Sequence, residues 1–176
     1  MKTIYLDMDS VIANFDAAYR SMTFEEELID SKKFHRAVTE RLILNNLDKM
    51  SRANELIDFV FEEFIDFRIG ILSSLGTRNE HVSQQAKLQK IQWLFTNFPS
   101  IKFDSLNFVH PPAPTEKAKY ANTFSLLIDD RKDIVEEFVK QGGQAVMYQD
   151  SRFDVLKDEI LDKASLIRSI YNPVAV

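Results

Sequence analysis

The sequence predicts an α/β domain built on a mainly parallel sheet flanked by helices, and three observations predict it. Five short apolar runs each end in polar residues. Longer segments of helical periodicity separate those runs. Fourteen phenylalanines stand against four glycines in 176 residues, a composition suited to filling a sizeable apolar core rather than to flexible loops. Alternation of this kind marks parallel strands, because each crossover needs a helix-length connection.

The elements follow in order. Thr3–Leu6 runs into Asp7-Met8-Asp9, Arg68–Leu72 into Ser73-Ser74, and Leu106–Val109 into His110-Pro111-Pro112. Ser125–Ile128 then runs into Asp129-Asp130, and Gln144–Tyr148 into Gln149-Asp150. Short runs rich in Ile, Leu, Val, Phe and Tyr suit buried strands. Among the intervening segments, Ile134, Val135, Phe138 and Val139 recur at helical spacing before a Gly142-Gly143 stop. His110-Pro111-Pro112-Ala113-Pro114 reads as a loop, because three prolines within four residues cannot sit in a helix or a central strand. Sixty-one residues separate Leu6 from Arg68 (68 − 6 − 1), far more than one crossover needs. The stretch 17–65 is charged and helix-prone, as in Phe24-Glu25-Glu26-Glu27-Leu28-Ile29, and reads as a small helical cap inserted after the first strand. That leaves 1–16 and 66–176 as the core.

Composition narrows the class of protein. Hydrophobic residues make up 45% and charged residues 28%, which excludes a disordered chain. A net charge of −5 argues against coating long nucleic acid, yet a few local cations suffice to hold one phosphate. With no cysteine, disulfides, thiolate catalysis and Cys-ligated zinc are excluded. The first residues are too short an apolar run for a secretory signal, and no window approaches a membrane span. A cytoplasmic location is the expectation, and a homodimer is compatible with the sequence.

Ligands of open parallel sheets bind beyond the carboxyl ends of the strands. At those ends stand Asp7 and Asp9, Ser73 and Ser74, and Asp129 and Asp130, with Lys119 ten residues before Asp129 (129 − 119). Four carboxylates at two strand ends repel one another unless a cation lies between them. Oxygen donors that need no His or Cys favour Mg²⁺. A hydroxyl and an ammonium at neighbouring strand ends complete a pocket for a dianionic phosphate. Each piece alone has a plainer reading. Asp-x-Asp after a strand is commonly a turn or helix cap, Asp-Asp-Arg a solvated helix start, and a Lys in Glu116-Lys117-Ala118-Lys119 a surface charge. Their order along the chain carries the weight.

That order resembles the haloacid-dehalogenase-like phosphatase superfamily, whose motifs are DxDx[TV], Ser/Thr, Lys and DD. Asp7-Met8-Asp9-Ser10-Val11-Ile12-Ala13-Asn14-Phe15 and Leu126-Leu127-Ile128-Asp129-Asp130-Arg131 look like the 5′(3′)-deoxyribonucleotidases within it. Leu42–Val60 looks like that family's segment leading from the cap into the second strand. The resemblance implies a Rossmann-like core and a Mg²⁺-dependent phosphatase of nucleoside, and by preference deoxyribonucleoside, monophosphates. It implies Asp7 as nucleophile, Asp9 as general acid and base, and Ser73, Ser74 and Lys119 as phosphate-binding groups. Asp7, Asp9, Asp129 and Asp130 would then serve the metal, and Phe15 would flank the nucleobase. Asp9 also favours a phosphatase over a dehalogenase or an ATPase, which do not need that acid.

The chain departs from the pattern at Ser10, where the family has Gly, at Asn14, which replaces Asp, and at Leu75-Gly76, which replaces a Pro-containing turn. The cap holds no Trp, so Phe34 or His35 would have to supply the base contact. Two other readings stay open: a phosphatase of the same chemistry acting on another small phosphoester or a nucleic-acid end, and a catalytically silent binding protein on this fold. Elsewhere, Ile91, Trp93, Leu94, Phe95 and Phe98 read as the core-facing side of a helix, and Lys87 and Lys90 as a solvated one. His35, His81 and His110 show no metal-ligand spacing.

Overall fold

A computed structural model describes residues 1–24 and 29–171. Glu25-Glu26-Glu27-Leu28, part of the expected cap, lies outside the described residues. Strands β1 (Thr3–Leu6), β2 (Arg68–Ser74), β3 (Ser105–Val109), β4 (Ser125–Asp129) and β5 (Gln144–Met147) form one all-parallel sheet in the order β3-β2-β1-β4-β5. Each expected strand is present. Leu6 pairs with Ile71 on one side and Ile128 on the other, so the strand ends bearing Asp7, Ser73-Ser74 and Asp129 are neighbours.

Helices cover both faces, which is why the central strands are apolar without alternation. They are α1 (Phe15–Ser21), α2 (Asp30–Thr39), α3 (Ala53–Glu63), α4 (Glu80–Asn97), α5 (Ala113–Ala118), α6 (Lys132–Lys140) and α7 (Phe153–Tyr171). Leu126 and Ile128 pack with side chains of α3, α4 and α7, while Leu127 between them packs with Ile134 and Phe138 of α6 on the opposite face. Within 17–65, α3 shares the core of β1 and is tied to α7: Lys157 Nζ donates to Glu55 (3.1 Å), and Arg168 donates to the Glu63 carbonyl (3.2 Å).

Two local expectations change. The proline stretch enters a helix at Ala113, because a proline in the first turn removes only an N–H that has no intrahelical partner. Trp93 and Leu94 on α4 and Phe98 just after it are buried as their spacing predicts, whereas Phe95 is 62% exposed.

Candidate active site

The loop after β1 is built around one carbonyl. Met8 O accepts from the amides of Val11 (3.2 Å), Ile12 (3.0 Å) and Ala13 (2.9 Å), and Ser10 N donates to Ala13 O (2.7 Å). So tight a turn drives Ser10 to φ +60°, a left-handed conformation that costs a non-glycine residue about 1–2 kcal/mol. The Asp7 amide donates to Ile128 O (3.0 Å), which carries the β1–β4 pairing up to the carboxylate itself.

Asp7 and Asp129 are buried, and Asp130 is half-buried. Their carboxylate oxygens lie within 4.8 Å of one another, a set able to hold a cation. The buried Lys117 sits among them. Its Nζ donates to Asp129 Oδ2 (2.6 Å) and lies 3.0 Å from Asp7 Oδ1, off the hydrogen-bonding direction. Asp7 Oδ1 is therefore buried without a hydrogen bond from any described residue. Burial, then the charge of Asp7, holds the Asp129 carboxyl up at about 6 and the Asp130 carboxyl at about 7. Desolvation works against the Lys117 ammonium, but Asp7 and Asp129 outweigh it and raise its pKa.

Asp9 stands apart from this cluster and belongs to a second ion pair. Lys90 Nζ donates to Asp9 Oδ1 (2.7 Å) and to Ser73 Oγ (3.1 Å). Burial, partly offset by Lys90, raises the pKa of the Asp9 carboxyl. Four carboxylates, Asp7, Asp9, Asp129 and Asp130, share the two buried ammonium groups of Lys90 and Lys117, and the guanidinium of Arg131 beside them is paired with Asp133.

Three sequence expectations are corrected here. Lys119 is not in the site: its side chain is 63% exposed and pairs with Glu116 (2.6 Å), while Lys117 occupies the inward position on the same turn. Lys90 is not on a solvated face, being 2% exposed. Of the two serines, Ser73 is buried under Lys90, and Ser74, which points the other way along the strand, lines the cavity.

The cavity over these groups holds about 460 Å³, within the range of small-molecule sites. One wall is charged, with Asp7, Asp9, Lys90, Lys117, Asp130 and Arg131. Phe15 and Tyr19 of α1 and Phe34 of α2 make the lining aromatic as well. Phe15 stacks on Tyr19 (5.2 Å between ring centroids, 16° between planes), and Phe34 meets Phe15 edge-on at 6.3 Å. Of the two residues expected to replace a cap Trp, Phe34 lines the cavity, and His35 instead lies 3.0 Å from Thr77 Oγ1. Gly76 makes room for Phe34: a Cβ there would stand 2.6 Å from the ring, and φ is +71° besides.

No family model matches the sequence, and no curated protein matches it either. Its structural neighbours include enzymes of the haloacid-dehalogenase (HAD) superfamily. A HAD family enzyme from Bacteroides thetaiotaomicron, solved in complex with magnesium and inorganic phosphate, superimposes with a TM-score of 0.50 at 12% identity, covering 85% of this chain and 94% of that one. L-2-haloacid dehalogenase from Xanthobacter autotrophicus gives 0.52 at 11% identity, covering 97% and 98%. At these identities the likeness establishes a shared fold: a Rossmann-like, all-parallel α/β domain.

Proposed function

We propose that the protein is a Mg²⁺-dependent phosphatase that hydrolyses nucleoside monophosphates, by preference deoxyribonucleoside monophosphates, through an aspartyl-phosphate on Asp7. One observation carries the reading. A buried carboxylate at the end of the central strand, beside a buried ammonium, opens on a cavity that also holds a second carboxylate, Asp9, in a separate environment. Two acids set in different surroundings suit two roles. The neighbour bound to magnesium and phosphate supports the same chemistry.

In the first step an oxygen of Asp7 forms a bond to phosphorus while the ester P–O bond breaks. Asp9 transfers its proton to the departing oxygen. In the second step Asp9 takes a proton from water, the water oxygen bonds to phosphorus, and the Asp7–phosphorus bond breaks to release phosphate. Lys117 and Ser74 stabilise charge on the phosphoryl oxygens throughout.

The residues fit a divalent cation. Three carboxylates converge within 4.8 Å, Asp7 Oδ1 has no hydrogen bond from the described residues, and the site carries surplus negative charge. Asp7 and Asp130 would hold the ion, with Asp129 beside them and Asp9 engaged by Lys90. When bound, Mg²⁺ supplies charge neutralisation at the phosphoryl oxygens.

A pH dependence follows. Asp129 and Asp130, held at about 6 and 7, bind protons more tightly folded than unfolded. Their contribution to stability is full below the ordinary carboxylate range and disappears as pH rises through 6 to 7. The metal-free protein is expected to melt at lower temperature at pH 8 than at pH 5.5, and Mg²⁺ to raise the melting temperature more at pH 8, where protons no longer compete. Melting curves with EDTA and with Mg²⁺ check this; an equal Mg²⁺ shift at both pH values contradicts it.

The substrate reading rests on the wall of Phe15, Tyr19 and Phe34, since base–aromatic stacking contributes about 1–3 kcal/mol. A panel of nucleoside monophosphates and sugar phosphates, with wild type and Phe15→Ala, tests it. The expected result is nucleotide preference, with KM for nucleotides raised roughly fivefold or more in the variant and generic aryl phosphate turnover little changed. Sugar phosphates outperforming every nucleotide would remove the nucleotidase reading and leave the phosphatase.

A further inference from the structure

Lys90 has no part in the chemistry above, yet its ammonium is buried at the edge of the site. Burying a charge is costly unless it is paired and hydrogen-bonded. Its two bonding partners are Asp9 Oδ1 at 2.7 Å and Ser73 Oγ at 3.1 Å. We infer that Lys90 is a positioning residue for proton transfer: it grips one oxygen of Asp9 so that the other, Oδ2, is aimed at the leaving-group oxygen. The inference rests on the phosphatase reading and adds to it a device for aiming the acid.

The geometry around Lys90 supports this role. Lys90 extends from the middle of a long helix whose adjoining residues are clamped. Gln89 accepts from the Leu44 amide (3.2 Å) and donates to the Val38 carbonyl (2.9 Å), and Trp93 Nε1 donates to the Leu47 carbonyl (2.7 Å). The base of the lysine is thus fixed from both sides. Asp9, by contrast, sits in a turn next to the left-handed Ser10, and Lys90 holds its carboxylate from α4. Lys117, not Lys90, is the ammonium beside Asp7.

The consequence is selective. As the ester P–O bond breaks, its electron pair on the leaving oxygen takes the Asp9 proton, and the O–H pair remains on Asp9 as carboxylate. An alkoxide leaving group, being strongly basic, needs that proton. A dinitrophenolate, being weakly basic, leaves largely without it. A lysine that serves packing or phosphate binding would affect both esters alike.

The test compares wild type, Lys90→Met and Asp9→Asn on glycerol 2-phosphate and on 2,4-dinitrophenyl phosphate, with Mg²⁺ present. Proton donation contributes about 10²–10⁴-fold where it is needed. Lys90→Met is expected to lose at least about tenfold more kcat on the alkyl ester than on the aryl ester, with KM for the two esters changed alike. Asp9→Asn should show the same split more strongly, and the double variant should add little further loss on the alkyl ester. Equal losses on both esters, or a loss confined to KM, overturn the positioning role while the phosphatase reading stands. If glycerol 2-phosphate is not turned over, a nucleoside monophosphate serves as the alkyl ester, and wild type that hydrolyses none of these esters overturns both. If Lys90→Met does not fold, Lys90→Gln carries the same comparison.

Discussion

Asp7→Asn is expected to cut turnover of a generic aryl phosphate by about a thousandfold or more while the chain keeps its fold. The amide is nearly isosteric with the carboxylate but offers no anionic oxygen to phosphorus and weakens the cation site. The stability side of the prediction is more discriminating. Asp7 is, after burial, the next cause raising both Asp129 and Asp130. Removing its charge lets both fall towards the ordinary carboxylate range, and Lys117 keeps its bond to Asp129 (2.6 Å). Metal-free Asp7→Asn should therefore melt at or above the wild-type temperature at pH 8. An inactive variant that also melts well below wild type would mean that Asp7 is structural.

Lys117→Met is expected to be damaging in a different way. It leaves two buried carboxylates, Asp7 and Asp129, without their shared cation. Breaking a buried pair on one side costs about 3–5 kcal/mol. The loss should be greatest at pH 8 without metal and shrink towards pH 5, where the carboxylates take up protons. Activity should fall by about a hundredfold or more, the scale for removing one group that stabilises developing charge. Lys119→Met, two residues away and on the surface, should behave as wild type in both assays. Melting curves and steady-state turnover of the two variants, side by side, decide between them. Damage from Lys119→Met equal to that from Lys117→Met would restore the lysine that the sequence favours.

That pair of lysines shows where sequence reasoning stops. All five strands were legible because a strand buried on both faces is a short continuous apolar run, and the carboxylates were legible because they stand at the ends of such runs. Lys117 and Lys119 share one helical turn, and positions two apart point to nearly opposite sides. Which side faces the site depends on how α5 docks against the sheet, a tertiary fact. Lys90 was hidden for a related reason. The buried face of α4 mixes Gln89 and Lys90 with Trp93, every polar atom finding a distant partner such as Leu44, Val38, Leu47 or Asp9. The apolar spacing around Trp93 and Leu94 marks a buried side but gives no sign that Gln89 and Lys90 share it. Phe34 and His35 were both candidates for the base contact, and it takes the space left by Gly76 and the bond of His35 to Thr77 to separate them.

The strand order also bears on how the chain folds. β1 lies at the centre of the sheet, yet its partners come late: Thr3 pairs with Arg68 and with Ser125, separations of 65 and 122 residues (68 − 3 and 125 − 3). During synthesis β1 emerges well before either neighbour exists, and its apolar side chains wait until β4 has been made. Contacts so distant in sequence close slowly, because loop entropy is lost before pairing rewards it. The carboxylate at the tip of β1 and the acidic pair at the tip of β4 are thus brought together by the pairing that completes the middle of the sheet. The carboxylate cluster and the centre of the sheet therefore depend on the same β1–β4 pairing, and a chain that ends before β4 has neither.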